Sequence, residues 1–95
     1  VSAKVGVLSV LLSVPGSKTL KDKRQVVKSI VDTARHRFNV SAAEIDHLDS
    51  HRSAGLAFAC VSNDKSVADG VLSRILALIE SNPLCEVIES ELDFV

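Results

Sequence analysis

Ninety-five residues, 46% hydrophobic and 24% charged, suffice for one core and not two, and no apolar run approaches the roughly 20 residues that span a bilayer. The net charge of −1 argues against a protein that coats nucleic acid by bulk charge, yet the charge is unevenly placed: residues 15–38 carry seven of the eleven basic side chains and net +5, and the remainder carries net −6. Cys60 and Cys85 are too few and too far apart for a disulfide framework or a zinc knuckle, so free thiols and a cytoplasmic protein without a membrane partner are expected.

From Lys4 to Val14 the residues alternate, with Leu8, Val10, Leu12 and Val14 on one side and Val5, Val7, Ser9, Leu11 and Ser13 on the other. The alternating serines and the missing small-residue cleavage site make this a central strand, not a signal sequence. Pro15-Gly16-Ser17 ends it, and Thr19 with Asp22 three residues on reads as a capping box that opens a helix. Leu20, Val27, Ile30, Val31, Ala34 and Phe38 then fall on one helix face. Lys21, Arg24, Lys28 and Arg35 form a cationic flank about 20 Å long at ~1.5 Å per residue, with Lys18 and Lys23 near the helix start. The bland reading of that flank is a solvated surface with a Lys28–Asp32 pair; the functional reading is a surface for an anionic partner.

Asn39 reads as a left-handed C-cap, and Val40 to Asp49 as an irregular edge strand bulged near Ala43-Glu44. Ser50 to Ser53 is a polar turn joining it to a strand over Ala54 to Val61, with Leu56, Phe58 and Cys60 inward and Gly55, Ala57 and Ala59 on the other face. Ser62-Asn63-Asp64 caps a second helix, whose Val67, Ala68, Val71, Leu72, Ile75 and Ile79 recur at helical spacing as far as about Ser81. After Asn82-Pro83, Cys85 to Val95 alternates again, with Ile88, Leu92 and Phe94 inward and Val87, Glu89, Glu91 and Asp93 outward, giving an acidic outer edge.

The order βαββαβ predicts an α+β, ferredoxin-like sandwich as a single domain over residues 1–95: a four-stranded antiparallel sheet, order 4-1-3-2, with both helices on one face. The other face stays open, with Val7, Leu11, Ala57, Ala59, Val61 and Val87 near its centre, and is expected to serve as a protein interface for a homodimer or a docked partner. Strand one separates Cys60 from Cys85 by about 9 to 10 Å, which precludes a disulfide.

No nucleophile motif is present, and no catalytic residue, metal or cofactor is expected. The string Asp46-His47-Leu48-Asp49-Ser50-His51 places His47, Asp49 and His51 on one face of a strand, but positions four apart on a strand lie ~13 Å apart, too far to share a metal. A phosphate has one plausible seat, the backbone amides of Gly16 to Leu20 beside Lys18, Lys21 and Lys23. An acylphosphatase-like enzyme would also need an arginine in a glycine-rich loop and an asparagine for water, and this turn lacks that pair. Phe58 and Phe94 point to the core, so RNA recognition by stacking and sequence reading of DNA are both disfavoured. Any RNA contact is expected through phosphates and the basic flank.

The blocks VGVL (Val5 to Leu8), PGSKTLKDKRQVVKS (Pro15 to Ser29), RFNVSAAEIDHLD (Arg37 to Asp49) and VSND (Val61 to Asp64) resemble the YlxP-like family, small bacterial proteins known as a domain of unknown function. The resemblance covers nearly the whole chain and implies a ferredoxin-like sandwich. Genes of that family often lie beside those for translation initiation and ribosome-binding factors, which implies ribosomal RNA or a ribosome-assembly factor as partner. The family block falls on Ser17, Leu20, Lys21, Asp22, Lys23 and Arg24, and its acidic pattern on Asp46, His47 and Asp49. Ser50-His51 departs from the bulkier apolar or aromatic residue the family pattern leads one to expect.

Overall fold

The structure is a computed structural model that describes residues 2–95. Its elements are β1 (Lys4–Ser13), α1 (Leu20–Arg37), β2 (Ser41–Asp46), β3 (Ser53–Ser62), α2 (Lys65–Glu80) and β4 (Glu86–Phe94). The sheet is fully antiparallel in the order β2-β3-β1-β4, which is the expected order read from the other edge.

Alternation in β1 and β3 explains the layering. Leu8, Val10 and Leu12 face the helices with Leu56, Phe58 and Cys60, and all six are buried. The seams of the two helices close over them: Val27, Ile30, Val31 and Ala34 from α1, and Ala68, Leu72, Ile75 and Ile79 from α2. α1 packs on β2 and β3, whereas α2 packs on β1, β3 and β4. Gly6 on β1 lets α2 approach, because a Cβ there would stand 2.8 Å from Leu72 Cδ1. Cys60 and Cys85 are free and buried, and burial pushes the Cys85 thiol above its ordinary pKa, which leaves it protonated and unreactive. Among the described residues, no helix is long and apolar enough to cross a membrane.

Four local expectations are corrected. Asn39 is not left-handed: Phe38 ends α1 in extended backbone while its N–H still bonds the Ala34 carbonyl at 2.9 Å, and the one non-glycine residue at positive φ is His47, at 57°, among the described residues. β2 stops at Asp46 instead of Asp49, since that left-handed turn at His47 leaves the sheet. Val67 lies one position off the α2 seam and is exposed. In β4 the pairing slips between Leu11 and Leu12, so Val87 pairs with inward Leu12 and packs against the core, while Ile88 is left exposed. Val87 therefore does not belong to the open face.

Candidate contact surfaces

The basic flank of α1 resolves into residues with different tasks. Thr19 caps the helix: Asp22 N–H donates to Thr19 Oγ1, and the Lys18 and Thr19 amides both donate to Asp22 Oδ2, each at 3.1 Å. Those bonds, the Lys18 amide first, hold the Asp22 carboxyl below its ordinary pKa. Ser17 N–H is also engaged, with the Val14 carbonyl. Three of the five amides that could cradle a phosphate, those of Ser17, Lys18 and Thr19, are therefore already taken, and a carboxylate sits among them. This corrects the expected phosphate seat at Gly16 to Leu20 for those three amides.

Lys23 is a second correction. It is fully buried (0% exposed), with Nζ 2.6 Å from Glu44 Oε2 and 3.0 Å from the His47 carbonyl oxygen. A cation held this way fastens α1 to the end of β2 and is withdrawn from any nucleic acid. Arg35 donates to the Ala42 carbonyl on β2 and so braces that edge strand, although its side chain remains largely at the surface. Lys28 pairs with Asp32 one turn on, at 2.5 Å, with both side chains mostly exposed. Lys21 and Arg24 are exposed and enter no ion pair among the described residues. Lys18, Lys21, Arg24 and Lys28 remain as the outward cations of the flank.

The Asp46 to His51 string is a turn, not one strand face. Asp46 Oδ1 accepts the His47 amide at 2.8 Å, and Ser50 N–H returns to the His47 carbonyl at 3.1 Å. Its polar groups thus build the hairpin and, through the His47 carbonyl, the seat of Lys23. Among the described residues no group of three or more His, Cys, Asp or Glu is disposed to hold a metal.

The open face is ordered in three cross-strand rows. Asp46, Gly55, Leu11 and Glu89 make the first, Ala43, Ala57, Ser9 and Glu91 the second, and Ser41, Ala59, Val7 and Asp93 the third. Val61 on β3 extends the face and is exposed. Its two central strands present only small or aliphatic groups, and β4 presents a column of carboxylates. A cleft of about 380 Å³ follows the first two rows, lined in part by Ser9, Leu11, Asp46, Gly55, Glu89 and Glu91. Gly55 is required there because a Cβ would stand 2.7 Å from that of Asp46. Glu91 is held above its ordinary pKa by hydrogen bonding with Asp93, by the charge of Asp93 and, more weakly, by Glu89. Alternation in the last strand signalled these outward acids; Glu86, which the register shift puts opposite Ser13 on the same face, left no such signal.

The profile of a family described as "Protein of unknown function (DUF503)" matches residues 5–92. The chain belongs to the DUF503 family. A DUF503-type relative of Bacillus subtilis (strain 168), named "Uncharacterized protein YlxP", is 37% identical over 68 residues, which cover 72% of this chain and 74% of that protein. In solved structures the DUF503 chain is similar to the "De novo designed protein Foldit4", with a TM-score of 0.57 at 16% identity over 97% of this chain and 96% of that one. That likeness concerns the fold alone. All the blocks that carry the family resemblance in the sequence lie within residues 5–92, and the Lys23–Glu44 pair sits inside them.

Proposed function

We propose that the protein is a non-enzymatic accessory factor that contacts the phosphate backbone of folded RNA, ribosomal RNA foremost, through the α1 flank. One observation carries this reading: Lys21 and Arg24 stand exposed on a capped helix and have no ion-pair partner among the described residues, with Lys18 and Lys28 on either side. Cations with no internal partner do not serve the fold, and their helical spacing offers charges along one line, as a phosphate backbone requires. RNA of A-form shape is recognised mainly through phosphates and 2′-hydroxyls, which needs no aromatic platform. That fits a sheet whose Phe58 is buried and whose Phe94 packs against the core beneath the Lys65 ammonium. The ribosomal assignment rests on the gene neighbourhood that the family resemblance implies.

The test is co-sedimentation with ribosomes and ribosomal subunits at low salt. The native protein is expected in the ribosomal pellet, and Lys21→Glu with Arg24→Glu in the supernatant. Equal pelleting of the two proteins would refute the reading.

A further inference from the structure

The open sheet face lies on the opposite layer from α1, so a second surface of different character is available to a different partner. Its floor is apolar and shallow: Val7, Leu11, Ala57 and Ala59 are only partly buried. Its wall is acidic, since Glu89, Glu91 and Asp93 stand opposite Leu11, Ser9 and Val7 on the same face. The three rows include no lysine, arginine or histidine; the basic groups nearest them, His47 in the cleft and Arg35 beside Ser41, Ala59 and Val61, belong to the β2 side, across β3 and β1 from the β4 carboxylates. The fold thus leaves an apolar surface beside a line of carboxylates that enter no ion pair among the described residues.

We propose that this face docks a cationic amphipathic helix of another protein, with its apolar seam on Val7, Leu11, Ala57 and Ala59 and its lysines or arginines against Glu89, Glu91 and Asp93. The spacing favours a helix. Carboxylates at alternate positions of a strand are ~6.8 Å apart, and helix residues four apart rise ~6 Å, so cations at i, i+4 and i+8 meet the column in register. Across four strands the floor is about 14 Å wide, enough for a helix about 10 Å in diameter, as α1 and α2 cover the other face. The crowding that raises the Glu91 pKa is the repulsion such cations would relieve.

A second copy of this chain does not meet these requirements. Two open faces packed together would bring two carboxylate columns into one interface, against which each copy offers only His47 and Arg35 at its β2 side, with Arg35 already donating to the Ala42 carbonyl. The chain's own basic helix is also unsuited, because its apolar residues Val27, Ile30, Val31 and Ala34 are already buried in its own core.

The experiment titrates the full chain, isotope-labelled for NMR, with two synthetic amphipathic helices that share a leucine seam, one with lysines at i, i+4 and i+8 and one with glutamates there. The lysine peptide is expected to shift the amides of β1, β3 and β4 and to lose affinity at least about tenfold in the variant Glu89→Gln, Glu91→Gln, Asp93→Asn. Lys21→Glu with Arg24→Glu should leave that affinity unchanged, which separates this face from the RNA-contacting flank. Equal binding of both peptides, shifts confined to the helices, or no binding of the lysine peptide would overturn the proposal. So would a concentration-dependent dimer whose interface shifts fall on the open face, because a second copy would then be the occupant.

Discussion

Lys23 Nζ lies 2.6 Å from Glu44 Oε2, and the lysine side chain is wholly out of solvent while the glutamate is 16% exposed. The ammonium also donates to the His47 carbonyl, and His47 takes up its left-handed backbone at that point. Lys23 therefore meets two groups that lie 21 and 24 residues on in the sequence, where α1, the end of β2 and the hairpin turn converge. Removing one partner leaves a desolvated charge behind, whereas removing both need not. Lys23→Met is expected to destabilise by about 3 kcal/mol, the low end for a broken buried pair because Glu44 keeps some solvent. Lys23→Met combined with Glu44→Leu should recover part of that loss. Urea unfolding of the single and double variants gives the coupling energy, and additive losses would refute the pairing as a stabilising unit.

The pair also shows what was legible in the sequence. Strand and helix seams followed from periodicity, because Leu8, Val10, Leu12, Leu56 and Phe58 repeat at two and Ala68, Leu72, Ile75 and Ile79 at helical spacing. The capping box and the sheet order followed from local chemistry and connection rules. Lys23 did not: a lysine among lysines looks solvated until tertiary structure sets Glu44 opposite it. Val87 and Ile88 exchanged faces because one bulge inverts a period of two, and nothing local in β4 fixes where the slip falls. Arg35 reads from the sequence as part of the cationic flank because the carbonyl it meets belongs to another element.

The α1 cap gives a second test. Thr19→Ala removes the acceptor of the Asp22 amide and is expected to cost about 1 kcal/mol in thermal or urea unfolding. Asp22 makes the cap pH-sensitive. Its folded pKa is depressed, so its contribution is complete above the unfolded aspartate value of about 3.9 and is lost as pH falls through the folded value. In Asp22→Asn the loss of stability relative to the native protein should be seen at neutral pH and shrink toward pH ~3. A difference that stays constant with pH would contradict the cap.

Glu91 has the opposite sign. Its folded pKa is raised by Asp93 first and by Glu89 more weakly, so the native state holds its proton longer than the unfolded chain does. Stability from this group is present below the unfolded value of about 4.3 and is lost as pH rises through the folded value. Glu91→Gln should therefore raise the melting temperature at neutral pH and bring little gain near pH ~4. A uniform change at both pH values would contradict the crowded-carboxylate reading.

Gly55→Ala tests the closeness of β2 and β3 beneath the cleft. The added methyl would stand 2.7 Å from Asp46 Cβ, so the strands must move apart. A cost of about 1–3 kcal/mol is expected, with amide shifts concentrated at Asp46 and His47. An alanine accommodated without loss of stability would mean that the strands are not held so close.

The salt dependence of binding to a structured ribosomal RNA fragment probes the α1 flank. With Lys18, Lys21, Arg24 and Lys28 all contacting phosphates, the logarithm of the association constant should fall against the logarithm of salt with a slope of about −3. Lys21→Glu, Arg24→Glu and Lys28→Glu together should flatten that slope toward zero and weaken low-salt binding by at least about tenfold. If the triple variant kept the native slope and affinity, the α1 flank would be no more than a solvated surface.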